Sequence, residues 1–427
     1  MRLPDQHPDR FALNDEIHAR PPESLVAPAR LSFLAVTSDF SLRERQWEQV
    51  ADLARRFGAP PPKPGANHFT ADLGDFRLKW ERHTEFSRYK FIVQGEDEHP
   101  FAKRAIDIVP QDWLNELLGD IIAAAHVAFV RPVEGPFDYE AIAAQWFDGN
   151  LVVGGGVAGG AALAVTDFRI HSDGFSRFLI QDRSLTPRQA GRTIQRLLEI
   201  EAYRMMALLA LPVARALSEA LTSSERELGG ITELLANAQA DDEAGLLDRL
   251  TRLEAEIESR YTRNLFRFSA SAAYYGLVLR RIAELREQRL GGLQTIEEFL
   301  GRRLAPAMNT CQAVAARQES LSQRVARASQ LLSTRVDISR QAQTQDLLAS
   351  MNRRAEIQLR LQETVEGLSV AAVTYYVSAL VGHMAQGLAE AGAPLNPDIV
   401  EAVSIPIIAV ITWLGVERLR RHLTRAK

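Results

Sequence analysis

Apart from His383, the stretch LSVAAVTYYVSALVGHMAQGL (368–388) carries no acidic or basic side chain. A helix that crosses a bilayer needs about 20 mostly apolar residues, with a range of roughly 17–25. This run meets that length and predicts a membrane span. A second run, AVSIPIIAVITWLGV (402–416), follows the loop AEAGAPLNPDIVE and extends back to Ile399. The two predict a transmembrane helical hairpin; the competing reading is a helix pair buried in a soluble core. A mean hydropathy of −0.14 for the whole chain hides the signal, because the residues before the first run are ordinary and charged.

Charge orients the hairpin. Arg418, Arg420, Arg421, Arg425 and Lys427 follow the second run, and Arg353, Arg354 and Arg360 precede the first. The loop between the runs is acidic and has no Lys or Arg. Basic residues stay on the cytoplasmic side, so the expectation is that both termini and the body are cytoplasmic and residues 389–401 lie outside. Within the first span, Thr374, Ser378, Gly382 and Gln386 recur every four residues, which places them on one helix side. Small and weakly polar residues on one face of a span mark helix–helix packing. The sharper alternative is a pore lining, with His383 and Gln386 near its outer mouth.

The body divides by texture. Residues 1–185 read as mixed α/β. RLSFLAVTS (30–38) is strand-like, and Ser41 with Glu44 suggests a capping box that opens a helix through Phe57. FRLKWERHTEF (76–86) and RYKFIVQG (88–95) alternate as paired strands, and IIAAAHVAFV (121–130) is a buried strand or a short helix. In FRIHSDGFSRFLIQD (168–182) two alternating segments flank Ser-Asp-Gly, the turn chemistry of a hairpin. From Thr186, followed by Pro187 and Gln189, a capping box starts a long helical region over 186–367. There Leu246, Leu250, Leu253 and Ile257, and later Val314, Leu321, Val325, Ala328 and Leu332, recur at coiled-coil spacing. Those seams close either within one subunit or between subunits. The whole is an α+β chain: an α/β domain (1–185), long coiled-coil-like helices (186–367) and a membrane hairpin with a basic tail (368–427).

Chemistry is sparse. A net charge of −4 leaves no basic domain for nucleic acid. The N-terminus MRLPDQHPDR lacks the apolar core of a secretory signal. Cys311 is the single cysteine, which fits a reducing compartment; as a nucleophile it would need a His partner that the sequence does not place. Gly154, Gly156 and Gly159 form GxGxxG within NLVVGGGVAGGAALAV (150–165). The long helix that a dinucleotide fold requires does not follow, so glycines at a bend or bulge account for the run. GEDEHP (95–100) is either a carboxylate site for a hard cation or a solvated loop. His7, His18, Asp5, Asp15 and Glu16 match no metal spacing and read as structural. No nucleophile elbow, P-loop or zinc spacing occurs, so neither a catalytic residue nor a cofactor is assigned.

ALNDEIHARPPESL (12–25), TDFRIHSDGFSRFLIQD (166–182), QAGRTIQRLLEIEAYRMMALLALPVAR (189–215) and VEGLSVAAVTYYVSAL (365–380) resemble domain-of-unknown-function family 3422, a bacterial family of predicted membrane-anchored proteins. The resemblance spans nearly the whole chain. It implies an anchor in the bacterial inner (cytoplasmic) membrane and brings no established activity. The layout is also similar to CorA-type magnesium channels: an α/β body, long helices, a first span, a short acidic loop, a second span and a basic tail. Those channels carry Gly-Met-Asn at the outer end of the first span, where this chain has Gly382-His383-Met384. Two expectations follow. One is a membrane-anchored homo-oligomeric scaffold or envelope-associated protein whose partner is the lipid bilayer. The other is a CorA-like channel with a divalent cation as cargo.

Overall fold

The computed structural model describes residues 6–425 except 12, 15–21, 96–98, 133–136, 239, 393 and 395. Asp5, Asp15, Glu16 and His18 of the N-terminal cluster, the EDE of GEDEHP, and Lys427 therefore lie outside the described residues. With 63% helix and 15% strand, and the strands confined to the first half, the fold is α+β. It forms two compact units, Met1–Asn237 with Asp248–Ser329, and Ala238–Leu247 with Gln330–Lys427.

The first unit is built on one eight-stranded sheet. Its strands are β1 (Ala29–Thr37), β2 (His68–Asp72), β3 (Arg77–Arg82), β4 (Phe86–Gln94), β5 (Ile121–Val130), β6 (Val153–Val157), β7 (Ala162–Thr166) and β8 (Ser176–Asp182). Their order is β2-β3-β4-β1-β5-β8-β7-β6. All neighbours are antiparallel except β5 and β8. A parallel pair needs a long crossover, and here the crossover contains α3 (Tyr139–Trp146) and the β6–β7 hairpin.

Register assigns the two faces. Trp80 opposes Tyr89, Tyr89 opposes Leu34, and Leu34 opposes Ala124, so these share one face. On it Val50 and Leu53 of α1 (Arg43–Arg56) and Trp113 of the short α2 (Gln111–Asn115) complete an aromatic core. The opposite face carries Lys79, Glu81, Arg88 and Lys90 beside Phe33 and Ala35.

Three local expectations need adjustment. The helix after β1 is capped by Asp39, not Ser41. The Asp39 carboxylate accepts from the Ser41 and Leu42 amides, at 2.8 and 3.1 Å, and opens a 3-10 turn before α1. A carboxylate two residues earlier satisfies the same orphan N–H groups. The segment 121–130 is strand β5. In the hairpin, the partner of β8 is Ala162–Thr166, not FRIH (168–171). Phe168 sits at φ 51°, and the Thr166 and Asp167 side chains accept from the Phe168 and Arg169 amides. Those bonds end the strand at Thr166 and leave Ser172–Gly174 as a turn within a connecting loop.

At Thr186 the expected capping box forms, with Pro187 opening α4 (Pro187–Leu208) and the Thr186 amide donating to Gln189 at 2.9 Å. Helix α5 (Ala210–Asn237) follows after a break at Leu209. Pro212 explains the break, because it has no N–H for the Leu208 carbonyl. Along α6 (Ala240–Leu285), Leu250, Leu253 and Ile257 are buried, and along α7 (Ile296–Glu390) so are Val314, Leu321 and Val325. These seams close within the chain.

In the second unit, α7 continues to Glu390 and is followed by α8 (Pro397–Arg425). Residues 341–365 of α7 are exposed on every side. Among the described residues, three helical stretches are long and apolar enough to cross a membrane, by length and composition: Pro187–Asn237 (α4 with α5), Ile296–Glu390 and Pro397–Arg418.

Candidate functional site

The C-terminal hairpin brings together part of the expected face. Thr374, Ser378 and Ala385 are 9%, 4% and 4% exposed, and Gly382 shares their buried side. A Cβ on Gly382 would lie 2.6 Å from a carboxylate oxygen of Glu401 in α8, so glycine permits this approach. His383 and Gln386 are exposed instead. Helical geometry explains the division. At about 100° per residue, four-residue steps drift by about 40°, so Gln386 lies about 120° from Thr374 while Ala385 returns to within about 20°. The buried hydroxyls are satisfied inside the helix: Thr374 Oγ1 donates to the Val370 carbonyl at 2.7 Å, and Ser378 Oγ to that of Tyr375 at 3.0 Å.

The apolar stretch of α7 therefore has three faces. Thr374, Ser378, Gly382 and Ala385 form the buried one. Val373, Val377, Leu380, Met384 and Leu388 form an apolar exposed one. Tyr376, His383 and Gln386 lie on a third, which is exposed and partly polar. In α8 the apolar window is 0% buried, with Ile405, Ile407, Val410, Ile411, Trp413 and Leu414 all outward.

Pro187–Asn237 passes the same test of length and apolarity but behaves differently. Its Met206, Ala210, Ala214, Leu217 and Leu221 repeat every three or four residues and are buried within the first unit. One apolar stripe already packed on protein is the pattern of an amphipathic helix in a globular domain.

A site the sequence reading missed is the charged layer between the sheet and α4. Glu81, with its side chain 0% exposed, lies 2.8 Å from Arg88 and 3.4 Å from Lys79. Arg88 reaches Glu199 of α4 at 3.2 Å, and Glu199 also pairs with Arg281 of α6. Glu23 joins from the N-terminal segment, 3.1 Å from Arg77 and 3.8 Å from Lys79. Burial works to raise the Glu81 pKa, but Arg88, Lys90 and Lys79 outweigh it and hold the carboxyl well below its usual range. Burial pushes Lys90 down to about 8, against the pull of Glu81. The centre of the layer is buried and each acid has a base beside it, so it locks α4 onto the sheet. Alternation in β3 and β4 reads as one wet face. The signal that could have shown otherwise is the breadth of the apolar surface of α4: Ile194, Leu197, Leu198 and Ile200 point in too many directions for a helix with one open face, so Glu199 and Tyr203 on the remaining side are covered as well.

Ser32, His126 and Asp173 have the residue types of a hydrolytic triad. Ser32 Oγ is 2.9 Å from His126 Nδ1, and His126 Nε2 is 3.6 Å from Asp173. Ser32 is fully buried and its Oγ accepts from the Ile106 amide, while His126 stacks on Phe175. No substrate carbonyl reaches that oxygen, so the cluster is a polar strut. His171 is another: it lies 2.8 Å from Asp148 and 3.0 Å from Asp167. Among the described residues no group of three or more His, Cys, Asp and Glu is arranged for a metal ion.

The glycine run forms β6 and the tight turn into β7, with no helix after it. Its amides are occupied: Gly154, Gly156, Ala158 and Gly159 donate to the carbonyls of Gln294, Gln288, Leu285 and Arg286. A Cβ on Gly155 would meet the Gln288 carbonyl oxygen at 2.4 Å. The glycines thus admit the loop between α6 and α7 as a close backbone neighbour of the edge strand, and leave no amide cradle for a pyrophosphate. Cys311 is buried, and burial pushes its thiol up, away from the thiolate a nucleophile requires.

No curated protein matches this chain. The family model described as protein of unknown function (DUF3422) matches residues 5–423, nearly the whole length. A match of that extent, over the sheet, the long helices and the hairpin alike, makes this chain a member of the DUF3422 family.

Proposed function

We propose that this protein is a membrane-anchored homo-oligomer of the bacterial inner membrane, a scaffold or envelope-associated protein with its body and both termini in the cytoplasm. The observation that carries the reading is the apolar surface of the hairpin. Leu368, Leu380 and Met384 of span one, and Ile411, Trp413 and Leu414 of span two, are all more than half exposed. Contiguous apolar surface of this kind is unstable in water and at home in acyl chains. The division 1–185, 186–367 and 368–427 is the functional one on this reading: body, stalk and anchor.

Oligomerisation rests on the third face of span one. His383 and Gln386 point away from α8, and polar groups at bilayer depth are stabilised by protein or water rather than lipid. A second reading, a CorA-like divalent-cation channel without the Gly-Met-Asn signature, uses the same face: two spans cannot enclose a pore, so a ring of copies would line one with it.

A single cysteine at Ala379, on that face and in a Cys311→Ser background, should crosslink between copies in native membranes. Cysteine at Leu380, on the lipid side, should not. Ser378→Leu and Gly382→Leu should disrupt the hairpin and shift the purified protein to smaller species in mild detergent, while Val377→Leu leaves assembly intact. A monomer that fails to crosslink at Ala379 would remove the oligomer and the channel together.

A further inference from the structure

A concavity of about 500 Å³ opens between α4, the C-terminal end of α6 and the glycine turn. Arg192, Arg196, Arg280 and Arg286 line it, with Glu284 as its one acid. Glu284 is already shared: it accepts from Arg196 Nε at 3.1 Å and from Arg281 Nη1 at 2.9 Å. Arg192, Arg280 and Arg286 have no ion pair among the described residues, in a chain whose net charge is −4. Thr193, on the same wall, is 2% exposed, and its hydroxyl has no hydrogen-bond partner among the described residues.

The backbone holds this arrangement in place. Arg286 has φ 48° and Ala158, also on the rim, has φ 55°. Such conformations cost energy in non-glycine residues and persist where the surroundings fix them. Here the Ala158 amide donates to the Leu285 carbonyl at 2.7 Å and the Gly159 amide to that of Arg286 at 3.3 Å.

We infer that this concavity is a binding site for a multiply charged phosphate, a phosphomonoester or a diphosphate, gripped by Arg192, Arg280 and Arg286 with the Thr193 hydroxyl donating. Guanidinium forks match phosphate oxygens two at a time. A lone carboxylate has too few oxygens for three of them. The cavity is the size of a small-molecule site, and its basic residues are clustered in a hollow, unlike the extended stripe that nucleic acid requires. The phosphate can come from a soluble ester or from the headgroup of a phosphomonoester lipid. The inference goes beyond membrane anchoring and does not depend on it.

Calorimetric titration of the full chain in detergent, at low salt, tests it with two probes: inorganic pyrophosphate and short-chain phosphatidic acid below its micelle concentration. Binding of either is expected, and Arg192→Gln and Arg280→Gln should each weaken it about tenfold or more, since each removes charge-assisted hydrogen bonds to the phosphate. Arg249→Gln, an exposed arginine elsewhere on α6, should leave it unchanged. Pyrophosphate binding identifies a soluble ester, and binding of phosphatidic acid alone identifies a headgroup; both support the site. The arginines are exposed, so melting temperature should be unaltered and loss of fold does not confound the result. Absence of heat with both probes at millimolar concentration overturns the inference, as does binding that survives both substitutions.

Discussion

Glu81→Gln should destabilise the sheet unit by about 3–5 kcal/mol, the range seen when one member of a buried ionic group is removed. Lys79, Arg88 and Lys90 surround Glu81 on the same sheet face, and all four side chains are almost wholly buried. The neutral amide keeps the shape but strands three cations beside Glu199 and Glu23. The sign of the pH dependence follows from the depressed Glu81 pKa. The stabilisation is fully present above the unfolded-state value of about 4.3 and is lost as pH falls toward the lower folded value. Denaturant unfolding followed by tryptophan fluorescence reads both, because Trp80 and Trp113 lie in the core of the same sheet. A Glu81→Gln protein within 1 kcal/mol of the native one, or one whose acid sensitivity is unchanged, would show that the layer is not a matched unit. Arg56→Gln is the comparison: its partners Asp52 and Asp112 are well exposed, and such pairs contribute about 0–1 kcal/mol.

Gly191→Ala should be nearly as severe. A Cβ at this position would stand 1.6 Å from the carbonyl oxygen of Glu23, a backbone atom. The segment around Glu23 crosses α4 there, fixed by the Leu25 amide donating to the Pro187 carbonyl at 3.0 Å. In a free helix, glycine to alanine is favourable by about 1 kcal/mol; here the methyl must push the crossing segment off the helix. That also withdraws Glu23 from Arg77 and Lys79, so overpacking and lost charge balance add. We expect a loss of about 2–4 kcal/mol, reaching past the usual overpacking range of about 1–3. Thermal unfolding checks it, and a neutral or raised melting temperature would mean that the crossing is not intimate. Gly229→Ala, in α5 with open space around its Cβ position, should by contrast be neutral or stabilising.

What the sequence displayed plainly was local or one-dimensional. The Thr186–Pro187–Gln189 cap, the alternation of β3 and β4, and the unbroken apolar runs near the C-terminus each follow from a few neighbouring residues. Capping and span length are short-range physics. The inner face of β3 and β4 was not legible, because alternation says that two faces differ and not which is covered. Only α4, more than a hundred residues later, decides that Glu81 and Arg88 are inside. The hairpin before β8 was misplaced for a similar reason: Thr166 and Asp167 turn back on their own loop, and alternation cannot show a side chain competing with a ladder. In the apolar stretch of α7, the face at Thr374, Ser378 and Gly382 was legible as spacing. The position of Gln386 depended on the drift of a 3.6-residue turn against a four-residue repeat. The arginine-lined hollow draws on α4, α6 and the following loop, and no contiguous stretch announces it.

The proposed topology has the last two apolar helices crossing a bilayer with both chain ends inside. Single cysteines at Asn396 and Ala426, in a Cys311→Ser background, measure it directly in intact cells with a membrane-impermeant thiol reagent. With that topology, Asn396→Cys labels from outside and Ala426→Cys labels only after permeabilisation. Labelling of Ala426→Cys in intact cells, or Asn396→Cys silent until the membrane is opened, would contradict it.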